Sequence, residues 1–160
     1  MSVYFIDIPC IIKFEKTYNN SPTFSFILFK VIYNGNYHWI AISTFGCKKG
    51  EIILLDSLFR KNLTLHTKRQ ICKIMCSSST SIIVKSMPVQ QQNGGVDCGL
   101  FAIAVLEHLA RTNEYPTAVW FNQPQMRNHA LRCLKDDEIY PFPQTKQSPN
   151  GKRAVEKRSA

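Results

Sequence analysis

The sequence predicts a single domain of the α+β class, and three observations carry that reading. Apolar, β-branched segments at residues 24–33, 38–44 and 51–55 are separated by short glycine-bearing turns, the pattern of a three-stranded antiparallel meander. Residues 98–111 then run through Leu, Phe, Ala, Ile, Ala, Val and Leu with almost no polar interruption, as expected of a helix buried on most faces. With 160 residues and 44% hydrophobic content, the chain has one domain's length and enough apolar side chains for a core.

The elements follow in order. Residues 1–22 match no recognisable pattern and form an N-terminal segment of unclear role. A first strand at residues 24–33 leads through Asn34, Gly35 and Asn36 into a second strand at 38–44. A turn at residues 46–50 returns the chain along 51–55, which ends at Asp56. Between residues 65 and 76, Ile71, Ile74 and Met75 alternate with Lys68, Arg69 and Lys73 at helical spacing. Residues 81–85 form a short strand that enters a polar, glycine-containing loop at 90–97, ahead of the 98–111 helix. Asn122 can cap a last helix with Pro124 in its first turn and Met126, Ala130, Leu131, Cys133 and Leu134 as one apolar face, read as structural. Pro141 and Pro143 close the domain, because proline cannot continue a helix.

Charge and composition exclude several function classes. About half of the formal net charge of +9 sits on residues 144–160, which carry a net +4, no apolar periodicity and little to bury. That tail is expected to be disordered and solvated. It is also where contact with a nucleic acid is expected, if anywhere, since the rest of the chain lacks the interleaved aromatics and the helix-turn-helix or zinc spacings of nucleic-acid modules. The apolar stretches are interrupted by Lys30, Lys85 or Glu107, well short of the roughly 18–20 residues of a membrane span. The first residues have no basic region and carry Asp7, unlike a secretory leader, so the expected location is intracellular, nucleus or cytoplasm.

Six irregularly spaced cysteines suit a reducing compartment better than a disulfide scaffold. Cys72 and Cys76 can share a helix face, but with no CxxC pair and no histidine near they read as thiols, and no metal or cofactor is expected. Cys10, Cys47 and Cys133 read as small apolar residues.

Cys98 is different, because it stands where the polar loop opens onto the buried helix. A helix N-terminus carries partial positive charge and unpaired N–H groups, so it favours a thiolate and can bind an oxyanion. Gly99 beside it allows a close approach. A base is available if residues 38–44 and 51–55 pair as a hairpin centred near Cys47, since His38 then faces Asp56. A carboxylate beside a histidine fixes its tautomer and stabilises the imidazolium. Taken singly, each residue has a blander reading: a buried cysteine, a strand histidine, a turn aspartate. His66, His108 and His129 fall on helices without an acid and thiol partner, and His108 lies ten residues along the cysteine helix, roughly 15 Å away. His38, Asp56 and Cys98 are therefore the candidate constellation.

His38-Trp39, Asp56-Ser57 and Gln92 ahead of Asp97-Cys98-Gly99-Leu100-Phe101 resemble, in that order, the motifs of the ubiquitin-like-protein proteases. This cysteine protease family includes the SUMO-specific, or sentrin-type, enzymes and is related to adenoviral protease. The resemblance runs from about Tyr33 to Pro143 and implies a catalytic domain at residues 23–143. It implies a papain-like cysteine protease fold, with a central, mostly antiparallel sheet flanked by helices and the nucleophile at a helix N-terminus. It also implies that Cys98 is the nucleophile, His38 the general base and acid, Asp56 its orienter and Gln92 a donor to the oxyanion. Gln91 stays open as the alternative donor, because Gly94 and Gly95 can shift the loop by a residue. Trp39, which alone would read as a core aromatic, is implied to line the channel for a diglycine tail. The implied partner is a ubiquitin-like protein or its conjugates, with no cofactor. Only 37 residues precede His38, where the family usually has a longer segment, so an impaired member that still binds a ubiquitin-like protein is one alternative. An acyltransferase using the same residues is another.

Overall fold

The computed structural model describes residues 2–7, 27–35, 37–58, 62–75 and 81–145. Residues 8–26, Cys76 and the tail from 146 lie outside the described residues, and with them the start of the first expected strand and the expectation of a disordered tail. The elements are β1 (Ser2–Asp7), β2 (Phe29–Tyr33), β3 (Trp39–Ser43), β4 (Glu51–Leu55), α1 (Leu65–Met75), β5 (Ser81–Met87), α2 (Cys98–Thr112), a 3-10 turn (Pro116–Ala118) and α3 (Gln123–Asp136).

They build one five-stranded sheet in the order β1-β5-β4-β3-β2. The expected meander is β2, β3 and β4, paired antiparallel. β5 lies parallel to β4, with α1 as the crossover, and β1 closes the far edge antiparallel to β5. One pairing of four is thus parallel.

The central strands are continuously apolar because both of their faces are covered. Ile40, Ile42, Ile52 and Leu54 pack with Ile71 of α1 and with Ile82 and Val84 on one face. Ala41, Ile53 and Leu55 pack on the other against Phe101, Val105 and Leu109 of α2. Eight of the fifteen α2 residues are buried, with Phe101, Ala104 and Leu109 wholly inaccessible and Ile103, Ala110 and Arg111 exposed, and the buried side makes a rigid mount for the first residue.

Four local readings are corrected. The β3-β4 register pairs Ala41 with Leu55 and Ser43 with Ile53, which centres the hairpin on Lys48 instead of Cys47. Two successive turns make the loop, closed by Cys47 N–H to Thr44 O and Glu51 N–H to Lys48 O. Gly46 stands at φ +64°, where a side chain would collide with the Tyr115 hydroxyl. The register differs by two residues, so every side chain keeps its face. Asn122 precedes α3 as expected but makes no side-chain cap, Gln125 N–H bonding to its carbonyl instead.

The apolar face of α3 is two stripes. Met126 is buried and Cys133 half-buried on the core side, while Leu131 and Leu134 are exposed on the other. Finally, Gln144 and Thr145 belong to the domain and not to the tail: Gln144 bridges to Phe121, and Thr145 N–H donates to Trp120 O at 2.7 Å.

Candidate active site

His38 stands just before β3 and is 1% exposed. The loop leading to it is closed by Asn34 N–H to His38 O at 2.9 Å, and Tyr37 takes a left-handed φ of 53° so that the chain can enter the strand. His38 Nε2 bonds to Asp56 Oδ1 at 2.6 Å. The same oxygen accepts Leu58 N–H at 2.9 Å, which fixes the carboxylate at the end of β4. His38 is not directly across the hairpin from Asp56; continuing the register sets Ile40 there, and the imidazole reaches back from further out.

A carboxylate only accepts, so Nε2 carries the proton, and in the neutral ring Nδ1 has the free lone pair. Nδ1 is buried and has no hydrogen-bond partner among the described residues. Burial opposes a charge on this ring, but the Asp56 hydrogen bond and charge, together with the Cys98 side chain, outweigh it. The His38 pKa is therefore raised above its ordinary 6.5.

Cys98 opens α2, and its Sγ accepts the Trp39 N–H at 3.4 Å. Since Trp39 follows His38, the thiol is brought to the same strand end as the imidazole. Asp97 occupies the N-cap position yet makes no side-chain cap. Its carboxylate turns to α3, accepting from Arg127 at 2.5 Å and from Gln123 at 2.7 Å. Gln123 also exchanges two hydrogen bonds with the Asn93 backbone, and Arg127 donates to Val96 O. α3 therefore holds the whole loop at 93–97, and the carboxylate beside the thiol is kept off the helix N-terminus.

The three glutamines separate cleanly. Gln90 is buried and spends both ends of its amide on the Phe121 backbone. Gln91 is exposed and donates to Asp56 O and Val89 O. Gln92 is buried, its N–H on Ser57 O, its Oε1 on the Ser57 hydroxyl and its Nε2 on Gly94 O, each at 2.8 Å. The turn that carries Asp56 thus holds Gln92 as well.

A groove of about 640 Å³ runs beside the thiol, lined by Trp39, Val96, Gly99, Leu131 and Leu134 among others. Trp39 is 44% exposed and rests on Tyr33, so it is no core aromatic. Gly99 lies under its edge, where an added Cβ would be 3.7 Å from Trp39 Cδ1.

The remaining histidines are elsewhere. His66 pairs with Gln70, and burial holds the His108 pKa below its ordinary value, aided by Arg111. His129 Nε2 lies 3.5 Å from Cys133 Sγ, its ring bonded to Tyr140 O and to no carboxylate among the described residues. Among the described residues, no cluster of His, Cys, Asp and Glu could hold a metal ion, and no helix is long and apolar enough to cross a membrane. Cys47, Cys72, Cys98 and Cys133 are free thiols.

The sequence model of the Ulp1 protease family's C-terminal catalytic domain matches residues 16–141, most of the chain. The chain belongs to the Ulp1 protease family. No curated protein and no solved structure matches it. The α+β fold is that of the Ulp1 catalytic domain, and membership makes the chain a member of a family of cysteine peptidases.

Within this Ulp1-type domain, sequence reasoning missed three polar contributors: Ser57, Gln123 and Arg127. Ser57 stood in the Asp56-Ser57 motif without a role of its own, and Arg127 left a signal in its spacing. Arg127, Ala130, Leu131 and Leu134 are spaced i, i+3, i+4 and i+7, a second stripe on α3 that lines the groove.

Proposed function

We propose that the chain is a thiol peptidase and isopeptidase that cleaves after the C-terminal glycine of a ubiquitin-like modifier of the SUMO type, using Cys98, His38, Asp56 and Gln92. The observation that carries this reading is the buried His38 ring, with Nε2 held on Asp56 and Nδ1 left unpartnered beside a cysteine that begins a buried helix.

In the proposed cycle, Cys98 Sγ gives its proton to His38 Nδ1 and attacks the carbonyl carbon after the modifier's last glycine. The new C–S bond places negative charge on the carbonyl oxygen. Gln92 Nε2–H and the Cys98 backbone N–H take that oxygen, each donor lowering the barrier by roughly 3–4 kcal/mol. His38 Nδ1–H then protonates the leaving amine as the C–N bond breaks. Water attacks the thioester with His38 as base, releasing the modifier's carboxylate and restoring the thiol. Trp39 and Gly99 would flank the tail, since a Cβ added to Gly99 would stand 3.7 Å from Trp39 Cδ1 and its absence leaves that space to a diglycine. The partner is a ubiquitin-like protein or its conjugate, met in the nucleus or cytoplasm.

The test is covalent labelling with SUMO and ubiquitin probes that bear a C-terminal electrophile, comparing the intact chain with Cys98→Ala and His38→Ala. Labelling of Cys98 by one probe, absent in both variants and located by mass spectrometry, is the expected result and names the modifier class. Binding without labelling would indicate an impaired module. Labelling without hydrolysis of a diglycine conjugate would indicate an acyltransferase.

A further inference from the structure

The geometry points to Ser57 as a positioning residue: its hydroxyl and its carbonyl hold Gln92 in the one amide orientation that leaves an N–H for the oxyanion. This rests on the peptidase reading above.

The orientation follows from the donor and acceptor inventory. A backbone carbonyl cannot donate, so the end of the Gln92 amide that meets Gly94 O at 2.8 Å must be its NH₂. The end that meets Ser57 Oγ is then the carbonyl, and the hydroxyl must be the donor. That hydrogen is the only one the hydroxyl has. Ser57 O meanwhile accepts Gln92 N–H at 2.8 Å, so backbone and side chain are fixed by the same residue. Of the two N–H groups on Nε2, one is spent on Gly94, and the other has no partner among the described residues.

Both residues are buried, Ser57 to 4% and Gln92 to 7% exposure, so water does not substitute for the hydroxyl. Without it, Oε1 becomes a buried acceptor with no donor, and the amide is drawn out of the pose that Gly94 alone cannot enforce. A flip offers no relief, because it would set the amide oxygen against Gly94 O. Neither neighbouring glutamine can replace Gln92, since Gln91 donates to two carbonyls and Gln90 is engaged at both ends.

The test compares the intact chain, Ser57→Ala, Gln92→Ala and the double variant on a SUMO or ubiquitin C-terminal aminocoumarin amide. Iodoacetamide alkylation of Cys98 is measured alongside. Alkylation displaces iodide at a saturated carbon and forms no oxyanion, so it reports the thiol and His38 without Gln92. We expect kcat to fall about tenfold in Ser57→Ala, the weight of one neutral hydrogen bond, with KM within twofold. Alkylation should be unchanged, and the double variant should be no slower than Gln92→Ala. Ser57→Thr, which keeps the hydroxyl, should recover most of the rate. If Ser57→Ala does not fold, Ser57→Cys, close in size and a weak donor, should show the same loss in kcat.

Wild-type kcat in Ser57→Ala, losses that multiply in the double variant, or alkylation falling with turnover would each overturn the positioning role and leave the peptidase reading standing. No turnover by the intact chain on either substrate, with Cys98 still alkylated quickly, would overturn the reading on which it rests.

Discussion

Two histidine–cysteine pairs stand among the described residues, and they differ in everything except proximity. His38 has Nε2 on a carboxylate and Nδ1 unpartnered, and its thiol opens a helix. His129 has Nε2 bonded to Tyr140 O at 3.1 Å, and the thiol 3.5 Å away meets that same nitrogen. A carbonyl accepts only, so His129 Nε2 is protonated and has no lone pair to take a thiol proton. Cys133 also sits in the last turn of α3, where the helix presents carbonyl charge that disfavours an anion, whereas Cys98 sits at the end that favours one. An imidazole beside a thiol is therefore not yet chemistry. The second nitrogen of the ring and the end of the helix decide it.

The largest effect that can break this comparison is loss of the nucleophile. Cys98→Ala should remove hydrolysis of a modifier aminocoumarin amide by at least about 10⁴-fold, while Cys133→Ala leaves the rate within twofold. Removing the rings should separate in kind. His38→Ala should cost about 10³- to 10⁴-fold in kcat/KM with the fold intact. His129→Ala should leave the rate alone and lower stability by about 1–2 kcal/mol, because its hydrogen bond to Tyr140 and its ring contact with Phe142 at 4.7 Å tie α3 to the closing segment. Parallel rate and chemical-denaturation measurements on the four variants check both statements.

Asp56→Asn comes next, at about 10²- to 10⁴-fold in kcat, and its pH signature is the sharper readout. Burial pushes the His38 pKa down, and Asp56 is the first of the groups that push it up. With the carboxylate neutralised, burial dominates and the protonated ring is lost at lower pH. The acidic limb of the pH–rate profile, where protonated His38 can no longer take the thiol proton, should therefore move to lower pH. The stability linkage has the matching sign. A folded-state pKa above 6.5 means that His38 stabilises the fold fully below pH 6.5 and loses that contribution as pH rises through the folded value. In Asp56→Asn that decline in the denaturation midpoint should disappear. A limb that stays in place would mean that Asp56 orients the ring without affecting its charge.

How much of this was legible beforehand follows from the kind of signal each feature leaves. The meander, the crossover helix and the buried α2 rest on runs of apolar residues, and periodicity reports those directly. The hairpin register was two residues off because a shift of two preserves every face, so alternation cannot detect it; the two successive turns around Gly46 and Gly50 decided it. Leu131 and Leu134 merged with Met126 because apolar identity does not say which side of a helix has a neighbour. β1 was unread, since its four successive apolar residues, Val3, Tyr4, Phe5 and Ile6, do not alternate and pair with a strand far along the chain. Gln123, Arg127 and the role of Ser57 left least trace, because each works through a few polar bonds to residues some 26 to 35 positions away.

Arg127 offers the smallest effect and the most direct approach to the difference between the two thiols. Its guanidinium and Gln123 hold the Asp97 carboxylate away from α2. An aspartate at an N-cap ordinarily turns its oxygens to the first-turn N–H groups. In Arg127→Ala, Asp97 should do so, placing a carboxylate beside Cys98 and giving this thiol some of the anionic surroundings that Cys133 has at the far end of α3. Alkylation of Cys98 by iodoacetamide near neutral pH should slow about twofold to fivefold, from the ~0.3–1 kcal/mol that one charge at a helix end is worth. Arg127→Lys, which keeps the charge, should stay near the intact chain. Stability should change by less than about 1 kcal/mol, because the new cap offsets a lost ion pair whose cation is largely exposed. If alkylation does not slow, the uncapped helix end is not what separates Cys98 from Cys133, and the distinction rests on the histidine nitrogens alone.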